Sequence, residues 1–374
     1  MLLLGVKQGD NFIENLKKHL ETELSKGSSS EEVDFFPIEY KAFDDGESRF
    51  RLSDGSETNE QMKSRVKSGE RIIFVVRGTC GRDWKPYEML GQTDFVLEKL
   101  KEYETPREKI CTVIPCQPFA KQDKSFRHGE AVSLRSYRTL VSEYSGLLIN
   151  VSVHDHREEG WVEKTIYNVD VMPDLVEHLK SLRLDKPLIV VPDAGARGLS
   201  QYIANELEAD TVVLRKKRDK KTGDPVFAFP EYLTDDAIKR AGYKEAIYGD
   251  DMGNTGRTLR IANEPARRAG LRIIDEVIHP ILAYTRVKDG GSLASYIADM
   301  EQRIKETNLS ELPQKDRERI KKMHRDLKIS RQLWCYDIIT DVTEDFYASD
   351  TVCSPINAYS VVRRLGNAIL ENFK

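Results

Sequence analysis

Short runs rich in Val and Ile recur along the chain, separated by longer stretches whose apolar residues fall at helical intervals. The runs are Arg71–Val76, Ile110–Ile114, Leu147–Val153, Leu188–Val191, Thr211–Leu214, Ala246–Tyr248 and Ile273–Ile278. Segments this short and this apolar on both faces predict buried strands of parallel sheets. Between them, Tyr87–Tyr103, Ala131–Tyr144, Met172–Leu182, Leu199–Leu207 and Leu259–Ala269 read as amphipathic helices. The alternation predicts an α/β protein with doubly wound, mostly parallel sheets, whose ligands collect at the carboxyl ends of the strands.

A chain of 374 residues is long enough for two domains, each with its own core. The expected division is 1–168 and 169–356, with a C-terminal helix over 357–374 packing back on the first domain. Ser292–Leu333 breaks the strand-and-helix rhythm: it is highly charged, with Leu, Ile and Met spaced for two amphipathic helices, and reads as an inserted scaffold or interface hairpin. Ser25–Glu32, Ser53–Glu60 and Lys220–Asp224 are polar and turn-rich, as loops are.

Composition narrows the choice of partners. Lys and Arg total 58 against 62 Asp and Glu, a net charge of -4, so no overall attraction to nucleic acid or membrane is expected and any phosphate site must be a local arrangement. The cysteines at 80, 111, 116, 335 and 353 contain no C-x-x-C pair, which argues against structural zinc and for a reducing compartment. The opening Met1–Val6 is too short for a signal sequence and no apolar stretch reaches membrane-spanning length, so a cytoplasmic location is expected.

The segment 246–258, Ala-Ile-Tyr-Gly-Asp-Asp-Met-Gly-Asn-Thr-Gly-Arg-Thr, is a strand ending in two carboxylates and a small-residue loop that opens a helix. Asp250 and Asp251 can accept from a vicinal diol, while backbone N–H groups at Thr255–Thr258 and the helix dipole favour a phosphate. Taken alone, the segment has a second, less favoured reading as an acidic turn before an N-capped helix. A second strand also runs into a loop, at Val113–Lys124, and there it gathers Lys121, Gln122 and Asp123. Together the two resemble the ribose-phosphate pyrophosphokinase family, whose second segment reads V-I-P-x-x-x-Y/F-A-R/K-Q-D. The resemblance runs in order from Leu2 to about His279 and weakens afterwards.

Four further segments carry it. Phe43-Asp44-Asp45-Gly46-Glu47 resembles F-x-D-G-E, which implies that Phe43, Asp45 and Glu47 join Lys121, Gln122 and Asp123 in binding ATP, Phe43 by stacking on the base and commonly from a neighbouring subunit. Val151–His154 resembles the strand-terminal D-L-H, and Val191–Gly195 resembles S-P-D-x-G, which implies His154 and Asp193 as holders of the magnesium of MgATP, with Asp193 also on the ribose hydroxyls. Leu214–Arg218 resembles the flexible-loop K-x-R, which implies Lys216 and Arg218 as catalytic cations over the transferring phosphates.

The ribose phosphate would then lie on Asp193, Asp250, Asp251, Asn254, Thr255, Gly256, Arg257 and Thr258. The implied protein has two domains of phosphoribosyltransferase type and assembles as a homo-oligomer, a dimer or hexamer. Its implied activity is magnesium-dependent transfer of diphosphate from ATP to the C1 hydroxyl of ribose 5-phosphate.

Two departures bear on the acceptor. The family's D-D-M-x-D-T-x-G-T has become Asp-Asp-Met-Gly-Asn-Thr-Gly-Arg-Thr, placing Asn254 for an acid and Arg257 for a glycine, a change of two charge units in favour of anions. After His279, H-G-x-x-S-G-x-A has become His-Pro-Ile-Leu-Ala-Tyr-Thr-Arg. The donor half is retained and the acceptor half altered, which points to ADP-ribose as the alternative acceptor, with Arg257 on its second phosphate and Tyr284 stacking. A phosphoribosyltransferase would share the acidic loop but not the nucleotide segments, and a non-catalytic regulatory relative would not need Lys216, Arg218, His154 and Asp193.

Overall fold

The computed structural model describes residues 1–6, 11–27, 31–43, 45, 47–53, 59–77, 86–125, 127–153, 165–192, 195–218, 225–253, 257–281, 345–352 and 357–374. The inserted hairpin expected at 292–333 lies outside them. The first sheet comprises β1 (Leu2–Val6), β2 (Asp34–Ala42), β3 (Ser48–Leu52), β4 (Ile72–Val75), β5 (Ile110–Ile114), β6 (Leu147–Val151) and β7 (Thr165–Val169) in the order β3-β2-β1-β4-β5-β6-β7. All pairs are parallel except the edge pair β2 and β3. The second contains β8 (Pro187–Val191), β9 (Asp210–Val213), β12 (Glu245–Gly253), β13 (Arg272–Pro280), β14 (Asp345–Ser349) and β15 (Asn357–Tyr359), all parallel, in the order β15-β14-β13-β12-β8-β9.

The helices are α1 (Phe12–Lys26), α2 (Glu60–Lys67), α3 (Pro86–Glu102), α4 (Ser133–Tyr144), α5 (Met172–Ser181), α6 (Arg197–Leu207), α7 (Asp235–Ala241), α8 (Arg257–Arg268) and α9 (Val362–Asn372). The doubly wound α/β architecture expected from the apolar runs is the one observed. In each sheet the winding reverses once, between β1 and β4 and between β8 and β12. Reversal points are where loops leave in opposite directions and open a crevice.

The opening Met1–Leu4 supplies an inner strand. Leu2 and Leu4 enter a core on one face with Ile72 and Phe74, and Leu3 enters the core on the other. That second core is continuous between the sheets: Leu3, Ile73, Val113 and Ile149 share it with Ile189, Ile247 and Ile274. Helix α9 closes it from the first-sheet side, burying Val362, Leu365 and Ile369 with Phe12 and Leu16 of α1, while His19 Nε2 and Asn367 Oδ1 lie 2.8 Å apart. The outer face of the second sheet packs on α8 through Leu259, Ala262 and Ala266. Pro265 lies inside that helix and, lacking an N–H, removes one of its backbone bonds. In the same turn the buried Tyr248 hydroxyl donates to the carbonyl of Ala262 at 3.1 Å.

Two local readings change. The strand expected over Leu147–Val153 ends at Val151, because Ser152 takes a positive φ of 38° that turns the chain out of the sheet. The basic run Arg215–Arg218 forms β10, paired antiparallel with β11 (Pro225–Ala228), rather than a loop. Four consecutive cations show no apolar alternation, and charged residues rarely signal a strand.

Candidate active site

The carboxyl ends of both sheets face one another. On the second sheet, β12 pairs with β8 only as far as Ile247 but follows β13 to Gly253, so its last turn of residues lies beside an opening. Asp250 and Asp251 occupy this stretch, both half-buried, and the Asp251 N–H donates to Asp250 Oδ1 at 2.9 Å. Gly249 lets α6 approach: a Cβ there would stand 2.7 Å from Ile203 Cδ1 and 3.3 Å from two atoms of Leu199. The close packing brings the turn that opens α6 alongside Asp251.

On the first sheet, the loop leaving β5 is held by its own turn. Phe119 has φ 64° and its carbonyl accepts from the Gln122 N–H at 2.9 Å. The Phe119 ring packs 5.3 Å from Tyr87 and 5.9 Å from Tyr137, and Arg138 Nη2 donates to Gln117 Oε1 at 2.8 Å. This support places Asp123 on the cleft and Lys121 near the acidic end of β12, while the Gln122 amide turns back to the Lys124 carbonyl at 3.3 Å. Partial burial holds the Lys121 ammonium below the ordinary lysine range, and the opposing pull of Asp250 and Asp251 shows that its charge lies in the field of the acidic pair. Burial likewise pushes the Cys116 thiol up, with a further upward contribution from Asp251 and a downward one from Arg77.

Between these edges lies a cleft of about 920 Å³. Asp123 and Lys124 contribute from the β5 loop, Ser152 and Val153 from the end of β6, Gly195 and Ala196 from the turn before α6, and Asp251 from β12. Its far wall is Tyr167, Asn168 and Asp170 from β7 and its exit, facing Leu199 and Tyr202 of α6. That wall was missed in the sequence, since β7 offers five residues without a motif. The Asp170 carboxylate also accepts from the Met172 N–H at 2.9 Å, ordering the start of α5.

The sequence-derived residues divide into four groups. Asp123 and Asp251 meet in the cleft, with Asp250 and Lys121 beside them. His154, Asp193, Asn254, Thr255 and Gly256 lie outside the described residues, although their chain neighbours Val153 and Gly195 line the cleft. Lys216 and Arg218 on β10, and Arg257 and Thr258 at the start of α8, are described by backbone alone. The fourth group is Phe43, Asp45 and Glu47, all exposed at the tip of the β2–β3 hairpin, where the Phe43 N–H donates to the Glu47 carbonyl at 2.8 Å and Asp45 Oδ1 accepts from the Glu47 N–H at 3.0 Å. Strands β1, β4 and β5 separate β2 from β6, so within one protomer the hairpin stands roughly 15–20 Å along the sheet from the cleft.

Two wound sheets whose strand ends enclose an acidic crevice of this size define an α/β protein of the phosphoribosyltransferase fold type. No family model matches the chain. Ribose-phosphate pyrophosphokinase of Sulfurisphaera tokodaii is 27% identical over 298 residues, 78% of this chain and 90% of that protein. The protein of the same name from Methanobrevibacter smithii is 26% identical over 310 residues, 81% of this chain and 93% of its own. The crystal structure of phosphoribosylpyrophosphate synthetase from Mycobacterium smegmatis superposes with a TM-score of 0.64 at 17% identity, covering 100% of this chain and 98% of that one, a likeness of fold. The chain is similar to ribose-phosphate pyrophosphokinases over most of its length, which supports an enzyme of the diphosphokinase type.

Proposed function

We propose that the protein transfers the β,γ-diphosphate of ATP to the C1 hydroxyl of ribose 5-phosphate, releasing AMP and the 1-diphosphate. The observation that carries this reading is the convergence of Asp123, from the nucleotide-type loop of the first sheet, and Asp251, from the acidic end of β12, on one cleft. Asp250 and Asp251 would accept from the ribose diol, and the backbone at the start of α8 would receive the 5-phosphate. Attack by the C1 oxygen on the β-phosphorus breaks its bond to the oxygen bridging to the α-phosphate, which leaves on AMP. Positioning and charge stabilisation are the main demands of such a transfer, and Lys121, Lys216 and Arg218 are the cations this chain brings to it.

Magnesium fits the oxygen donors at the cleft, Asp123 and Asp251. His154 and Asp193 are the proposed ligands, and the ion would neutralise charge on the phosphates. Among the described residues, no three His, Cys, Asp or Glu side chains cluster as a metal site. A hairpin so far from the cleft serves ATP from a second copy of the chain, which makes the active protein at least a dimer.

ADP-ribose is the second acceptor, favoured by Asn254 and Arg257 where the family carries an acid and a glycine. Incubation with ATP, magnesium and each acceptor, followed by AMP release, decides between them. Turnover with ribose 5-phosphate and none with ADP-ribose removes the substituted acceptor, the converse removes the simple one, and no AMP with either returns the regulatory reading.

A further inference from the structure

His279, near the end of β13, reaches across the boundary between the sheets. Its side chain is buried, with Nδ1 3.0 Å from Thr351 Oγ1 and Nε2 3.2 Å from the carbonyl oxygen of Ser152. A carbonyl only accepts, so Nε2 carries the hydrogen, while Nδ1 faces the Thr351 hydroxyl, which itself donates to the Ile278 carbonyl at 3.1 Å.

The partner of that bond is a residue in an unusual conformation. Ser152, with φ 38°, turns the chain from the end of β6 into the cleft wall. Its N–H donates to the Val169 carbonyl at 2.9 Å, its Oγ accepts from the Val171 N–H at 3.3 Å, and the next N–H, of Val153, donates to Asn168 Oδ1 at 3.1 Å. The first sheet therefore holds the turn by its N–H and hydroxyl, and the second sheet takes hold of it by the carbonyl. Beside this bond the sheets meet through a small apolar contact in which Cys116, from the loop after β5, is buried with Ile281 and Val352 and packed on by the half-buried Met252. Apolar contacts resist separation but tolerate sliding, whereas a buried hydrogen bond fixes a direction.

We propose that His279 is a positioning residue: its Nε2–H bond to the Ser152 carbonyl sets the turn leaving β6 and with it the closure of the two sheets around the cleft. The catalytic consequence rests on the diphosphokinase reading, and the structural one does not. His279→Asn keeps an amide near the Nδ1 position, within reach of Thr351, but is too short for Ser152. His279→Gln extends an amide N–H to where Nε2 stands.

Peptide-resolved alkylation tests the closure without reference to activity. Cys116 reports the contact between the sheets, and Cys111, fully buried in β5, reports unfolding of the first sheet. In His279→Asn, Cys116 should react about tenfold faster or more while Cys111 keeps its wild-type rate, and His279→Gln should restore protection. AMP release should show kcat lowered by about tenfold or more in the Asn variant, with KM for ribose 5-phosphate within about threefold, and recovery in the Gln variant.

Equal acceleration at both cysteines, no acceleration at either, or a Gln variant as open as the Asn variant overturns the inference. Should His279→Asn fail to fold, the Gln variant decides alone, since exposure of Cys116 in it removes the role of the Ser152 bond. A wild-type protein inactive with every acceptor sinks the functional reading and leaves the alkylation result to judge the positioning.

Discussion

Arg77 Nε donates to the carbonyl oxygen of Thr351 at 3.2 Å, joining the chain just beyond β4 of the first sheet to the chain just beyond β14 of the second. Its Nη2 donates to the Asp350 carbonyl at 2.5 Å, and the guanidinium carbon lies 4.1 Å from the centre of the Phe12 ring. The side chain is 3% exposed, so these bonds form with little water to replace them. Arg77→Met keeps an apolar stem over Phe12 and leaves both carbonyls short of a charged donor. The expected loss is about 3 kcal/mol of unfolding free energy, read from urea denaturation. A loss below about 1 kcal/mol would show that water substitutes for the guanidinium.

Gly249 and Ile203 make the contact that seats α6 against β12. Gly249→Ala places a methyl 2.7 Å from Ile203 Cδ1, and overpacking of this kind costs about 1–3 kcal/mol. Ile203→Val deletes the opposing methyl. The double variant should therefore recover part of the stability lost by Gly249→Ala, as measured by thermal unfolding, and strict additivity would show that the strain lies elsewhere.

Glu276 lies in the middle of β13, fully buried, and among the described residues neither carboxyl oxygen has a hydrogen-bond partner. Burial, then the neighbouring Asp275 charge, raises its pKa well above the ordinary carboxylate value of 4.5. The folded chain thus holds this proton more tightly than the unfolded chain. Stability from this group is full below the unfolded value and is lost as pH rises from there toward the folded value. Glu276→Gln removes the titration, so the wild-type urea midpoint should fall more steeply between about pH 5 and pH 8 than that of the variant. Parallel profiles would mean that Glu276 finds a partner when ionised.

The parts of this protein that were legible in its sequence are those whose signal is local. Ile110–Ile114 and Ile273–Ile278 are buried on both faces and could be read as strands without knowing their neighbours. The small-residue loop between Asp251 and Arg257 could be read as a helix start. Met1–Leu4 has the same apolar character, but its strand is revealed by the partners β2 and β4. Ser152, Arg77 and His279 were silent because their roles are hydrogen bonds between residues far apart in the chain, and nothing in the adjacent residues marks a positive φ at a serine. Similarly, the motif at Phe43–Glu47 did not disclose that its hairpin stands at the opposite side of the sheet from β6, since motifs carry no strand order.

Lys216 is proposed to neutralise charge on the transferring phosphates, an interaction stronger in the transition state than in the bound ground state. Removing one such donor costs on the order of 3 kcal/mol in the barrier. Lys216→Ala should lower kcat about a hundredfold or more with a modest change in the ATP KM. Near-normal turnover would take Lys216 out of the mechanism.

The separation of Phe43 from Asp251 within one protomer makes the shared site testable by mixing. Phe43→Ala damages the hairpin of its own chain and leaves its cleft intact, whereas Asp251→Asn damages the cleft and leaves the hairpin intact. If the hairpin of one copy serves the cleft of another, a hybrid dimer contains one site with both residues native and one with both replaced. Random reassortment of equal amounts should therefore return about a quarter of wild-type activity from two nearly inactive proteins. If each cleft instead used its own hairpin, through a large movement of β2 and β3, every site in the mixture would carry one defect and activity would stay at the level of the parents. Recovery that grows with the time allowed for subunit exchange places the nucleotide between two copies, and flat activity would require the edge of the first sheet to fold over its own strands.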